Sequence, residues 1–184
     1  MKKYEYHRIA ELETQLKKAK VKPAIITQIM AGGDKILRKS KPAVKADWLK
    51  QAMERMDKLL PADVRYKVRE ECACSTTGSR LKLINKLIQD NPTIPEFFKA
   101  VNQSHIFGKS VVKKGNTVYV DFGLTRCVCS PKFATGVVSI TYCHCCKGHI
   151  LKLLEAALNK PLRSDVITSA CSGGDTCRFE IYLD

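Results

Sequence analysis

Ser110-Val111-Val112-Lys113-Lys114-Gly115-Asn116-Thr117-Val118-Tyr119-Val120 is the stretch that decides the fold class. Two β-branched runs flank Lys113-Lys114-Gly115-Asn116, which is the pattern of two strands joined by a tight turn. Upstream of it the chain reads as helix. Ile9, Leu12 and Leu16 recur at helical spacing in a charged segment. Pro23 opens the run Ile25-Ile26 with Ile29-Met30, which Gly32-Gly33 stops, and Asp34 is placed to cap a short helix through Arg38. Trp48, Leu49, Ala52, Met53, Met56, Leu59 and Leu60 line one face over nearly four turns, the strongest helical signal in the chain. Pro61-Ala62-Asp63 begins a further helix with Val64 and Val68 inward, Arg80 to Gln89 is helical, and Pro92 and Pro95 bracket another start before Phe97-Phe98.

Downstream of the hairpin the pattern changes. Val137-Val138-Ser139-Ile140-Thr141-Tyr142 is β-branched and predicts a strand. Ile150, Leu151, Leu153, Leu154, Ala157 and Leu158 form a helix ending near Asn159-Lys160-Pro161. Val166-Ile167 and Phe179-Glu180-Ile181-Tyr182-Leu183 give two last strands around the turn Ser172-Gly173-Gly174-Asp175. Helices followed by β-β-β-α-β-β predict an α+β fold with a mostly antiparallel sheet. The boundary falls between a helical region, 1–105, and a cysteine-rich α+β region, 106–184, the two making one compact unit. No internal repeat of fixed period is present.

The 184 residues are 45% hydrophobic and 27% charged, which excludes disorder and low complexity. No stretch of about 18 apolar residues exists to span a bilayer. Charges recur through Met1-Lys2-Lys3-Tyr4-Glu5-Tyr6-His7-Arg8, unlike the apolar core of a secretory signal, so a cytoplasmic location with reduced thiols is expected. Residues 1–70 hold 18 Lys/Arg against 9 Asp/Glu, and the remainder hold 14 against 9. Such a basic first half attracts nucleic acid or another polyanion if its cations are gathered. Lysine-rich solvated helix faces are the favoured explanation, because no basic run is interleaved with aromatic residues as a stacking surface would be.

Nine cysteines in a chain of this length are the unusual count, and an odd number cannot close wholly into internal disulfides. They fall in Cys72-Ala73-Cys74, Cys127-Val128-Cys129, Cys143-His144-Cys145-Cys146, Cys171 and Cys177. On a strand, residues i and i+2 share a face, so Cys127 with Cys129 and Cys143 with Cys145 form two ligand pairs. Four thiolates suit zinc in a tetrahedral site, and an iron–sulfur cluster second. Cys127, Cys129, Cys143 and Cys145 are therefore the expected metal ligands, with Cys72, Cys74, Cys146, Cys171 and Cys177 as second choices.

Simple packing of small apolar thiols explains one such cysteine better than three Cys-x-Cys repeats. Cys145 and Cys146 also fall at a helix start, where the dipole and Lys147 favour a thiolate. Cys146 and His149 stand three residues apart on that helix, a candidate nucleophile and base, although no third orienting group is evident. His149 is otherwise a reserve ligand. Cys143 to Lys147 mimics a haem-attachment motif with Lys for His, and Asp175 beside Gly173-Gly174 reads as turn chemistry.

Tyr142-Cys143, Gly148-His149, Leu154-Glu155 and the run from Ser169 through Gly174-Asp175-Thr176-Cys177-Arg178-Phe179-Glu180-Ile181 resemble 4-vinyl-reductase-type ligand-binding domains. The likeness spans roughly the last 45 residues. It implies a small hydrophobic ligand beside a zinc held by cysteines and a glutamate. By position Cys143 and Cys177 match two cysteine ligands, Val166 stands at the glutamate and Ser169 at the remaining cysteine. That zinc site is therefore not reproduced unchanged, and Cys171, Cys145 or Cys127 with Cys129 would have to substitute. The whole chain also resembles a group of uncharacterised, cysteine-rich bacterial proteins of similar length. The ending Gly174-Asp175-x-x-Cys177-x-Phe179 is similar to that of aminothiazoline-carboxylate hydrolase-type proteins, which implies a cysteine-dependent hydrolase as the alternative. The expected function is thus a metal-binding protein that binds or senses a small molecule.

Overall fold

A computed structural model describes residues 4–74, 78–123 and 126–184; Met1, Lys2 and Lys3 of the N-terminal reading lie outside them. The fold is α+β, with seven helices and one four-stranded antiparallel sheet among the described residues. The helices are α1 (His7–Lys18), α2 (Pro23–Ile29), α3 (Pro42–Leu59), α4 (Ala62–Glu71), α5 (Ser79–Asp90), α6 (Ile94–Ser104) and α7 (His144–Leu158). The strands are β1 (Ser110–Lys114), β2 (Thr117–Asp121), β3 (Arg163–Thr168) and β4 (Arg178–Tyr182). Among the described residues no helix is long and apolar enough to cross a membrane.

The chain divides into two compact units, each gathered from separate segments. One comprises Met1–Cys72, Arg126–Cys145 and Cys171–Gly173, the other Ala73–Thr125, Cys146–Ala170 and Gly174–Asp184.

The first unit is helical. Ile9, Leu12 and Leu16 of α1 and Ala52, Met53 and Met56 of α3 are fully buried, as the helical period requires. Helix α2 ends before Gly32, whose φ of 72° is left-handed. Side chains of α3 take up carbonyls at and just beyond its end: Arg55 Nε donates to the Ile29 carbonyl at 2.9 Å and Trp48 Nε1 to the Ala31 carbonyl at 3.0 Å. Asp34 lies inside a single 3-10 turn, Gly33–Lys35, and does not cap a longer helix.

The run Val137–Tyr142 is not a strand, which corrects the expected β-β-β-α-β-β order to β-β-α-β-β. Ile140–Cys143 is a 3-10 turn started by Ser139, whose hydroxyl accepts from the Thr141 amide. The Thr141 hydroxyl donates to Asp57 on α3 at 2.6 Å, and Arg65 on α4 bridges to the same carboxylate at 3.1 Å. β-Branched residues favour strands only where a partner strand supplies the ladder, and here side-chain anchors win. Cys127 and Cys129 also lie off any strand, just before the 3-10 turn Ser130–Phe133.

The second unit carries the sheet in the order β1-β2-β4-β3, all neighbours antiparallel. Val118 pairs with Ile181 and Val120 with Phe179, all four buried. They form one apolar core with Phe97, Phe98 and Val101 of α6 and Ile150, Leu153 and Leu154 of α7. Helix α6 begins with Thr93 as its N-cap, the hydroxyl accepting from the Glu96 amide and donating to the Glu96 carboxylate at 2.6 Å. At Gly108, φ is 96° and an added Cβ would stand 2.6 Å from the Phe122 Cα, so only glycine lets the two backbones approach.

Asp121 closes the end of β2. It accepts from the Gly123 amide at 2.7 Å, the Thr176 hydroxyl at 2.8 Å and Arg178 Nε at 3.3 Å. Burial alone would raise its carboxyl, but these three donors hold it below the usual carboxylate range. A carboxylate lowered in this way stabilises the fold above about pH 4 and loses that contribution as the pH falls through its folded value. Asp121→Asn is expected to lower Tm at neutral pH, with the gap to wild type narrowing in strong acid; a gap that is constant across the titration contradicts the assignment.

Candidate functional site

Six of the nine cysteines belong to the first unit: Cys72, Cys127, Cys129, Cys143, Cys145 and Cys171. Four of them touch in sequence. Cys143 Sγ lies 3.2 Å from Cys171 Sγ, both side chains buried. The Cys127 thiol is hydrogen-bonded to Cys129 and to Cys171. The order of contact is therefore Cys129, Cys127, Cys171, Cys143. The bond to Cys129 favours a Cys127 thiolate, but the bond to Cys171 and burial outweigh it and push the Cys127 thiol up to about 11. The Val138 amide donates to the Cys171 carbonyl at 2.8 Å, tying the segment before the 3-10 turn to the one carrying Cys171.

Cys145 takes a different direction. The expectation that it pairs with Cys143 assumed a strand, yet Cys143 ends a 3-10 turn and Cys145 sits in the first turn of α7. In helical backbone, residues i and i+2 stand about 200° apart around the axis, so the two thiols diverge. Cys145 meets Arg69 of α4, which also lies beside Cys72. Arg69 is 3% exposed. Its Nη2 donates to the Tyr142 carbonyl at 3.4 Å and its guanidinium lies 4.7 Å from the Tyr142 ring, while its Nε has no hydrogen-bond partner. Burial weakens the Arg69 cation, but Cys145, Cys72 and Tyr142 more than restore it. Burial raises the Cys72 thiol against the pull of Arg69. Burial and Cys145 likewise raise the Tyr142 phenol, opposed by Arg69 and Arg8.

His144, between the two thiols, stacks on Tyr66 with centroids 3.8 Å apart and points Nδ1 at Glu70. Arg69 is not singled out in the sequence, and Tyr142 stands out there only as a strand residue and as the neighbour of Cys143; only the fold brings a mid-helix arginine against Cys145. Among the described residues, no group of three or more His, Cys, Asp or Glu side chains is arranged to hold a metal ion as it stands. The contacts Cys129–Cys127, Cys127–Cys171 and Cys171–Cys143 link the four thiols.

Cys74, Cys146 and Cys177 belong to the second unit. Cys177 Sγ accepts from the Ala170 amide at 3.4 Å, and both Cys146 and Cys177 pack against the apolar core. Val166 and Ser169 carry neither a carboxylate nor a thiol, so the zinc site that the 4-vinyl-reductase likeness implies does not fit these residues. His149 is buried, and both ring nitrogens are engaged: Arg80 Nη1 donates to Nε2 at 2.9 Å, and Nδ1 lies 3.3 Å from the Cys74 carbonyl. Since guanidinium is only a donor, Nε2 must accept and Nδ1 must carry the proton. That assignment removes the lone pair a base for Cys146 would need.

From residue 6 to residue 184 the sequence matches a family of unknown function, DUF6144. The chain belongs to this family. The DUF6144 match takes in segments of both compact units and all nine cysteines. No curated protein and no solved structure matches the chain.

The tautomer is open to measurement. Long-range nitrogen–proton NMR is expected to find His149 as the Nδ1–H form. Iodoacetamide labelling of Cys146 is expected to proceed at the same rate in His149→Gln as in wild type. A clear fall in that rate identifies His149 as its base after all.

Proposed function

We propose that this DUF6144 protein binds a soft metal ion, zinc ahead of an iron–sulfur cluster, through Cys127, Cys129, Cys143 and Cys171. One observation carries the reading: the 3.2 Å contact between Cys143 and Cys171, residues 28 apart in sequence, with Cys127 bonded to the second of them. Sulfurs on a tetrahedral zinc, with bonds of about 2.3 Å, stand about 3.8 Å apart. The Cys143–Cys171 edge needs to open by roughly half an ångström to reach that spacing. Closure of the site around an ion then requires all four thiols to turn toward a common centre. Cys171 takes the place expected for Cys145, which serves Arg69 instead.

The four thiolates of such a site carry two more negative charges than a zinc ion neutralises. Arg8, which donates to the Tyr142 hydroxyl, and Arg69, beneath its ring, supply positive charge on the same segment. Thiols must lose protons to bind a metal, so affinity falls in acid. The small hydrophobic ligand implied by the 4-vinyl-reductase likeness is assigned to the outer face of the sheet. Val112, Tyr119 and Ile167 are exposed there beside a shallow groove that Asp121, Arg178 and Glu180 help to line. A hydrolase built on Cys146 gains nothing from the occupied ring of His149.

Elemental analysis of anaerobically purified protein is expected to give one zinc per chain with no visible absorption; a brown sample with iron selects the cluster. Cys143→Ser and Cys171→Ser are each expected to lose the metal, while Cys145→Ser retains it. Chelation is expected to lower Tm, because ligand free energy becomes folding free energy. A colourless, metal-free and stable preparation overturns the proposal.

A further inference from the structure

The same sulfur contacts carry a second chemistry that needs no metal. Each thiol in the order Cys129, Cys127, Cys171, Cys143 touches the next, and the series runs from half-buried residues to buried ones. Cys127 and Cys129 are partly exposed, whereas Cys171 is 8% and Cys143 5% exposed. Thiol–disulfide exchange requires an attacking sulfur in contact with one member of a disulfide, a condition met at every step of this series.

We infer that these four cysteines form a redox relay, in which a disulfide made by a peroxide at Cys127 and Cys129 is passed inward to Cys143 and Cys171.

A thiolate of the outer pair attacks one peroxide oxygen, the O–O bond breaks, and an alcohol or water leaves with a sulfenic acid formed. The other outer thiol attacks that sulfenic sulfur and expels water, closing Cys127–Cys129. Two electrons have passed from the two sulfurs to the peroxide. Cys171 then attacks Cys127 Sγ and Cys129 departs as thiolate. Cys143 attacks Cys171 Sγ and Cys127 departs. Each exchange breaks one S–S bond and makes one, with the attacking thiol's proton passing to the leaving thiolate, so no further oxidant is consumed. The end state is a buried Cys143–Cys171 disulfide with both outer thiols reduced. The last step shortens the 3.2 Å contact to an S–S bond of about 2 Å.

Direction follows from surroundings. A short Cys-x-Cys disulfide is confined by one intervening residue and lies partly in solvent, which makes it the more oxidising and the readier to exchange. Cys143 and Cys171 come from separate segments, each fixed by its own anchors: Thr141 on Asp57 for the first, the Val138 amide on the Cys171 carbonyl for the second. Cys145, turned toward Arg69, stands outside the relay.

The test uses full-length protein stripped of metal by chelation, treated with hydrogen peroxide, quenched with an alkylating agent and mapped by non-reducing peptide mass spectrometry. Early samples are expected to contain Cys127–Cys129, and later ones Cys143–Cys171 in its place. Cys171→Ser is expected to stop at Cys127–Cys129 with Cys143 alkylatable only after unfolding. Cys145→Ser is expected to follow the wild-type course. A dominant disulfide that includes Cys72 or Cys145, or no disulfide in folded wild type at a dose that crosslinks the urea-unfolded chain, overturns the relay. Since this map is made on metal-free protein and metal content is measured separately, zinc without the crosslink refutes only the relay, and the crosslink without zinc refutes only the metal site.

Discussion

The change from 3-10 to α-helical backbone between Ile140 and Cys145 governs the chemistry of the first unit. A strand there would have presented Cys143 and Cys145 side by side. Helical twist separates them, committing one to Cys171 and the other to Arg69. The twist is held by side chains from elsewhere. Asp57 takes the Thr141 hydroxyl, Arg65 braces Asp57, and Ser139 satisfies the Thr141 amide. Two separate thiol environments result from that one bend.

Those environments differ electrostatically. Around Cys143 and Cys171 the neighbours are other sulfurs, polarizable and uncharged when protonated. Around Cys145 and Cys72 stands a buried guanidinium, with an aromatic face and a carbonyl as its other partners. A cation so enclosed is costly unless the groups around it carry negative charge or strong dipoles. Tyr142 meets this need twice, through its ring and its carbonyl, while its hydroxyl reaches Arg8. The residue before Cys143 thus fixes the charge balance of its whole neighbourhood.

Most of the architecture was legible in the sequence because most of it rests on local signals. The period of Trp48 to Met56, the prolines in the first turns of α2, α3 and α6, and the turn between β1 and β2 each act over a few residues. Val137–Tyr142 misled because its β-branched composition is a preference that a threonine–aspartate contact 84 residues apart overrides. Cysteine clustering was also visible, but which sulfurs meet depends on that same long-range contact. Cys171, alone in its segment, has no spacing to advertise it. Arg69, one of many cations in the first half, is distinguished only by burial.

The sheet order β1-β2-β4-β3 leaves two outer strands whose backbones face away from the ladder. Such edges invite another chain to add itself as a fifth strand, the first step toward aggregation. Asn102 meets one of them, its side-chain oxygen taking the Val111 amide at 2.7 Å, and Lys113 and Lys114 bring charge to the same strand. On the other, the register shift between Val166 and Thr168 breaks the straight run that intermolecular pairing needs. The borders of a small sheet with exposed valine, tyrosine and isoleucine on its outer face are thus guarded against edge-to-edge pairing.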